Sequence, residues 1–153
     1  MRKVGNVYVG SKYDLDNIPN GFAIVHACKT SHQKKLGHTK PIKNSPYYII
    51  FCERDELYIN WVDEPTGRFF KVETFIAALN FIENAIKSGK EVFVHCDQGE
   101  SRAPTLAMVF LAKRTDFLDD NFQDAVKKFE ELYPEYKPSG ILKFVEKHWN
   151  KIQ

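Results

Sequence analysis

One short run, His95-Cys96-Asp97-Gln98-Gly99-Glu100-Ser101-Arg102, constrains this chain more than any other part of it. A cysteine and an arginine sit at either end of a tight, glycine-containing loop. Glu91-Val92-Phe93-Val94 precedes it and is β-branched and aromatic enough to be a buried strand. The run from Ala103 to Arg114 follows, apolar through its middle, with Pro104 near its start. That pattern predicts a buried helix whose N-terminus faces the loop. Strand, loop and helix N-terminus together make a cradle for an anion, because backbone N–H groups and the helix dipole converge there and a fixed cation closes it. A field of this kind also favours the thiolate form of a cysteine placed within it. The chemistry suggested is attack by sulfur on a phosphorus atom whose oxygens are already held.

The pattern His95-Cys96-x-x-Gly99-x-x-Arg102 resembles the signature of the protein tyrosine phosphatase superfamily, and the chain looks most like a small, atypical member of its dual-specificity branch. The resemblance implies that Cys96 is a nucleophile forming a phosphocysteine intermediate. It implies that Arg102 grips the phosphoryl oxygens through two N–H groups and that His95 supports the cysteine. Asp97, Gln98, Gly99, Glu100 and Ser101 would complete the phosphate-binding loop with Arg102. One position departs from the family. Relatives usually carry Ser or Thr directly after the arginine, where the hydroxyl helps the sulfur leave, and here that position is Ala103. Ser101 and Thr105 lie close by, but neither is at the family position.

The same family uses an aspartate as general acid, on a loop just past a strand that precedes the cysteine in sequence. Tyr58-Ile59-Asn60-Trp61-Val62 reads as that strand, and Asp63 follows it directly. Glu64 stands beside Asp63 as a replacement, and Asp55 is a weaker one in what looks like a hairpin turn. Pro65-Thr66-Gly67 supplies loop character. Trp61 reads as a core residue.

The rest of the chain is compatible with one domain. Its 153 residues are 43% hydrophobic and 14% aromatic, a globular composition with room for one sizeable core. No apolar run approaches about 18 residues, and the first residues lack a signal-peptide core. Three cysteines argue against a disulfide scaffold and for a reducing, cytoplasmic setting. A net charge of +2 is too small to imply nucleic-acid binding.

Val4 to Val9 and Phe22 to Ala27 read as strands, as do Tyr47 to Cys52 and Leu57 to Val62 around the turn Glu53-Arg54-Asp55-Glu56. Phe70, Phe75, Ala78, Leu79, Phe81, Ile82 and Ile86 recur at helical spacing, ended by Ser88-Gly89. A further helix spans Phe122 to Leu132, begun by Asp119 or Asp120 and stopped before Pro134. A last one follows Pro138-Ser139-Gly140, with Trp149 on its apolar face. Strands first and alternating units afterwards predict an α/β domain over 1–153, with a central mixed, mostly parallel sheet flanked by helices. That order is similar to the dual-specificity phosphatase fold.

Residues 29–46 read as a polar, irregular insertion carrying Lys29, Lys34, Lys35, Lys40, Lys43, His32 and His38 with no acid. Cys28, His32, His38 and Cys52 fit no strong zinc spacing, so no metal or cofactor is expected. Asp97 and Glu100 stand in the loop where relatives acting on inositol lipids carry lysines, which disfavours phosphoinositides. The expected activity is phosphomonoester hydrolysis on phosphorylated proteins, at phosphotyrosine and also at phosphoserine or phosphothreonine. Two other readings stay open: an impaired module that binds phosphoproteins, and an RNA 5′-phosphatase using the basic insertion.

Overall fold

The centre of the molecule is a strand whose residues are all buried, Val92–Cys96, the sixth in chain order and called β6. A strand that reads as one apolar run has to be covered on both faces, which is the situation of an inner strand in a parallel sheet. The computed structural model describes residues 1–37 and 49–153. Among these, β1 (Arg2–Val4), β2 (Val7–Ser11), β3 (Ala23–His26), β4 (Ile50–Glu53), β5 (Glu56–Ile59) and β6 form one sheet in the order β1-β2-β6-β3-β5-β4. β6 runs parallel to β2 and β3, and β5 runs parallel to β3. The outer strands β1 and β4 are antiparallel to their neighbours. The sheet is therefore mixed and mostly parallel, as the sequence predicts.

Register decides what gathers at one edge. Ser11 lies opposite Cys96, and His26 opposite His95. The C-terminal ends of β2, β3 and β6 thus meet at the same edge, and the chain leaving β5 starts there too. Open α/β sheets bind ligands in that location, because the connecting loops and helix N-termini converge on it.

The helices are α1 (Lys29–Leu36), α2 (Val72–Lys87), α3 (Arg102–Lys113), α4 (Phe122–Leu132) and α5 (Gly140–His148). Every residue of α3 from Arg102 to Ala112 is buried. The helix packs on β2 and β6 and is covered in turn by α2, α4 and α5, so an apolar helix on all sides is what this position demands. Pro104 is tolerated because the first turn of a helix leaves its N–H groups without intrahelical partners. Asn121 caps α4 by accepting the Asp124 N–H at 3.1 Å, so the cap is one residue past the expected aspartates.

Several boundaries differ from the sequence reading. Val4 to Val9 is not one strand. Gly5, at φ +58°, and Asn6 turn the chain into a hairpin between β1 and β2, the two-residue turn that favours such residues. β5 ends at Ile59 instead of Val62: Asn60 still donates to the Ile49 carbonyl beside β4, but Trp61 turns its N–H back onto the Ile59 carbonyl at 2.9 Å. The segment expected to be irregular begins with α1, which Gly37 closes at φ +74° with its N–H on the Gln33 carbonyl at 2.9 Å. Its helical form rests on tertiary contacts, with His32 buried and Lys35 paired to Glu53 at 2.9 Å. The rest of that segment, with His38, Lys40 and Lys43, lies outside the described residues, as do Tyr47 and Tyr48. Trp149 is buried in a short 3-10 turn after α5 instead of on its face.

An aromatic cluster couples this frame to the loop edge. Phe75 of α2 is fully buried against Trp61, with ring centres 4.8 Å apart, and stacks on Phe144 of α5 at 5.7 Å. Phe75→Ala would leave a cavity beneath Trp61. It is expected to cost about 3–5 kcal/mol of unfolding free energy, read as a lowered urea midpoint with an unchanged slope.

Candidate active site

The loop joining β6 to α3 needs a glycine. Gly99 has φ +73°, and a Cβ there would lie 2.8–3.0 Å from the backbone of Gly10 and Ser11. That close approach seats the loop on the end of β2. Cys96 closes β6 and is 2% exposed, and its sulfur accepts the Ala103 N–H at 3.4 Å. The sulfur therefore sits at the first turn of α3, in the positive end of the helix dipole.

Arg102 is buried, and its guanidinium joins three pieces of chain. Nη1 donates to the Trp61 carbonyl at 2.8 Å, and Nη2 donates to Asp97 Oδ2 at 2.9 Å. Its third nitrogen, Nε, is buried without a hydrogen-bond partner among the described residues. A buried N–H of a cation left unpaired costs several times what a made hydrogen bond contributes, so its presence points to a ligand. Asp97 also accepts Thr30 Oγ1 at 2.6 Å and lies 3.7 Å from Lys12 Nζ. Burial works against its charge, but Thr30, Arg102 and Lys12 outweigh that and hold its carboxyl below the ordinary range. Asp97 thus spends its carboxylate on Arg102 and Thr30 within the loop. Gln98 is exposed, and Glu100 is half-buried with its carbonyl accepting the Lys137 N–H at 2.8 Å.

The hydroxyls nearest the sulfur in sequence are engaged elsewhere. Ser101 Oγ accepts the Ser139 N–H at 2.9 Å, and Thr105 Oγ1 pairs with the Tyr136 hydroxyl at 2.6 Å. Tyr133 donates its hydroxyl to the Gly99 carbonyl at 2.7 Å. The connector from Tyr133 to Ser139 therefore braces the loop at Gly99, Glu100 and Ser101. Nothing in the local sequence signals this, since these residues read only as the end of one helix and the start of the next.

The segment after β5 is anchored at Trp61, whose carbonyl takes both Arg102 and the Lys29 N–H, the latter at 2.8 Å. Trp61 is core, as expected, but its backbone carries the connection that matters here. Asp63 follows in an exposed position, with no hydrogen-bond or ion-pair partner among the described residues. Glu64 is occupied: it accepts the N–H groups of Thr66 and Gly67 at 2.9 and 3.1 Å and the Thr66 hydroxyl at 2.7 Å. The Thr66 hydroxyl, ahead of the other bonds, keeps its carboxyl below the usual value. Asp55, the third candidate, pairs with Lys90 at 2.8 Å in the β4–β5 turn. Gly140, opening α5, supports this turn so closely that a Cβ would strike the Glu64 carbonyl and the Gly67 nitrogen.

His95, fully buried, makes its contacts behind the sulfur and not with it. Its Nδ1 is 3.3 Å from the Cys96 carbonyl oxygen, and its Nε2 is 2.6 Å from His26 Nδ1. His26 Nε2 in turn lies 2.8 Å from Glu56 Oε1. Sequence reading missed both His26 and Glu56, because they come from different strands and share no local pattern with the loop. Among the described residues no group of three or more His, Cys, Asp or Glu is placed to hold a metal ion, and no helix is long and apolar enough to cross a membrane.

The catalytic-domain pattern of the dual specificity phosphatases matches residues 7–143. Dual specificity protein phosphatase 5 of Rattus norvegicus is 32% identical over 138 residues, covering 89% of this chain and 33% of the relative. Dual specificity protein phosphatase 16 of Homo sapiens is 27% identical over 152 residues, covering 95% of this chain and 20% of the relative. The chain thus spans no more than a third of the length of these relatives. Among solved structures, human DUSP28 superposes with a TM-score of 0.65 at 15% identity, covering 99% of this chain and 96% of that one. A leucine rich repeat and phosphatase domain containing protein from Entamoeba histolytica gives 0.61 at 21% identity, covering 98% and 92%.

The contact between Gly140 and the Glu64–Gly67 turn has a direct test. Gly140→Ala is expected to lower stability by about 1–3 kcal/mol through overpacking. It is also expected to remove hydrogen-exchange protection from the Gly67 amide, measured by NMR, while amides in β6 keep theirs.

Proposed function

The chain belongs to the dual-specificity phosphatase catalytic-domain family, and on that premise we propose that it hydrolyses phosphomonoesters on phosphorylated proteins through Cys96. The observation that carries the proposal is the buried, unpartnered Nε of Arg102 on the same loop as the Cys96 sulfur. A phosphoryl oxygen satisfies that N–H, and a planar guanidinium suits the task better than an ammonium. In the first step the Cys96 thiolate attacks phosphorus, an S–P bond forms and the P–O bond to the alcohol breaks. Asp63 gives its proton to the departing oxygen. In the second step water attacks the same phosphorus, Asp63 accepts a proton from it, and the S–P bond breaks to release phosphate and thiolate. Asp63 suits this role better than Glu64, because its carboxylate is free while that of Glu64 is fastened in a turn. Phosphotyrosine is the proposed substrate, with phosphoserine and phosphothreonine accepted.

A slower second step is favoured by a specific observation. Ala103 offers its N–H to the sulfur but has no hydroxyl, the Thr105 hydroxyl is paired with Tyr136, and Ser101 Oγ is held as the acceptor of the Ser139 N–H. The departing thiolate therefore has one fewer donor than in relatives with Ser or Thr there. This supports an enzyme that holds its phosphorylated form for a long time, and it narrows the gap to a phosphoprotein-binding module.

Two experiments test these readings. With a phosphotyrosine peptide, Cys96→Ser is expected to abolish turnover while vanadate still binds. Asp63→Asn is expected to lower kcat by about 10²–10⁴-fold and to remove the alkaline fall of the rate, since that fall reports loss of the acid's proton. Activity surviving in Cys96→Ser would overturn the mechanism. In stopped flow, the native enzyme is expected to show a burst of released alcohol before a slower steady rate. Ala103→Ser should raise that steady rate by up to about tenfold, equivalent to about 1.4 kcal/mol of barrier, and shrink the burst.

A further inference from the structure

Two buried imidazoles and the half-exposed Glu56 carboxylate form a chain behind Cys96 that has more bonds to fill than the neutral groups have protons. A neutral imidazole has one N–H and one lone pair, a carboxylate only accepts, and a carbonyl oxygen only accepts. Glu56 Oε1 stands at one end of the chain and the Cys96 carbonyl oxygen at the other, with His26 and His95 between. Both ends are acceptors. If both imidazoles are neutral, His26 Nε2 donates to Glu56, His95 Nε2 donates to His26, and His95 Nδ1 turns a lone pair toward the Cys96 carbonyl. If one proton is added, every bond reverses its direction from His26 onward. His26 then donates from both nitrogens, and His95 Nδ1 donates to the Cys96 carbonyl.

We propose that Glu56 and His26 are positioning residues for Cys96, setting through one shared proton whether His95 presents an N–H or a lone pair to the peptide that carries the sulfur. This builds on the reading of Cys96 as the reactive residue. A donor on that carbonyl draws electron density from the loop and favours the thiolate, whereas a lone pair opposes it. Water is excluded from the inner part of the chain, where His95 is fully buried and His26 is 6% exposed, while Glu56 meets solvent at the outer end.

The charged surroundings bear on both imidazoles. From β5, Glu56 bonds to His26 and Tyr58 stacks on it at 4.3 Å while donating its hydroxyl to Glu56 Oε1 at 3.3 Å. From α1, Lys35 lies close enough to oppose a charge on His26, although it pairs with Glu53 of β4. From β6 and its loop, Phe93 stacks near His95, with Asp97 favouring and Arg102 opposing its charge. Burial is the largest influence and pushes both imidazoles down, His95 to about 4, with Glu56 countering it at His26. The sign follows. The chain lacks the extra proton near neutral pH and gains it as the medium turns acid.

Glu56→Gln separates this from a purely structural role. A glutamine amide offers an N–H₂ as well as an oxygen, so it can donate to His26 Nε2 and hold neutral imidazoles in the reversed direction. In ¹⁵N NMR of the imidazoles, His95 Nδ1 of the native protein is expected to lack a proton at pH 8 and to gain one as the pH falls toward 4. In Glu56→Gln it is expected to carry one throughout. Alkylation of Cys96 by iodoacetamide, followed from pH 4 to 8, is expected to shift to lower pH in Glu56→Gln by about half a unit to one unit, or roughly 3- to 10-fold in rate on the rising part of the curve. In a His26→Gln background, the effect of Glu56→Gln should vanish. The proposal is overturned if Glu56→Gln leaves the His95 nitrogen signals unchanged, or changes them without moving the alkylation curve. Alkylation needs no phosphatase activity, so a shifted curve in a protein that hydrolyses nothing upholds the relay and sinks only the proposed function.

Discussion

A guanidinium at the first turn of a buried helix carries its charge into a place where solvent cannot help it, and much of this molecule is arranged around that charge. Arg102 is 5% exposed. A charge so placed needs partners with good geometry, because removing any one of them leaves an uncompensated cation. Asp97 supplies the counter-charge from within the loop, and the Trp61 carbonyl supplies a second acceptor from the segment leaving β5. Among the described residues the third nitrogen has no partner, and that imbalance is the physical basis for the proposed phosphoryl ligand.

Because Trp61 contributes main chain to Arg102 and side chain to the aromatic cluster, the core and the site share one residue. Its ring packs on Phe70 and Phe75, while its carbonyl also takes the N-terminal N–H of α1. The segment bearing Asp63 therefore starts from a fixed point and ends in a turn held by Glu64 against Gly140. The connector between α4 and α5 performs the matching task for the loop, through Tyr133, Lys137 and Ser139. The sulfur and the cation on one segment, and the Asp63 carboxylate on the other, are thereby each tied to a rigid element.

Behind the sulfur, the chain from Glu56 to His95 adds a dependence on proton position that the loop alone does not have. It crosses β5, β3 and β6: His95 lies directly opposite His26, and Glu56 reaches His26 from two positions before its register partner Tyr58, on the same face of β5. The same packing that buries the two imidazoles keeps them weakly basic.

The loop from His95 to Arg102 was legible from sequence because it is local: a buried strand, a glycine turn and an apolar helix sit in one continuous run. The strongly periodic helices α2, α4 and α5 were legible for the same reason, since each writes its apolar face into its own residues. What sequence could not reach was whatever depends on residues far apart in the chain. α1 lacks an apolar stripe, so its helical form had no local sign. The choice between Asp63 and Glu64 stayed open because it turns on which carboxylate the Thr66 turn consumes. Sequence alone determined that a cysteine and an arginine share one loop at a helix N-terminus, since both lie on the same short piece of backbone. Tertiary structure decided which atoms of that arginine are left over, what braces the loop, and that two imidazoles and a carboxylate line up behind the cysteine. Those outcomes depend on strand register and side-chain packing across the sheet, and neither is written into any single stretch of the chain.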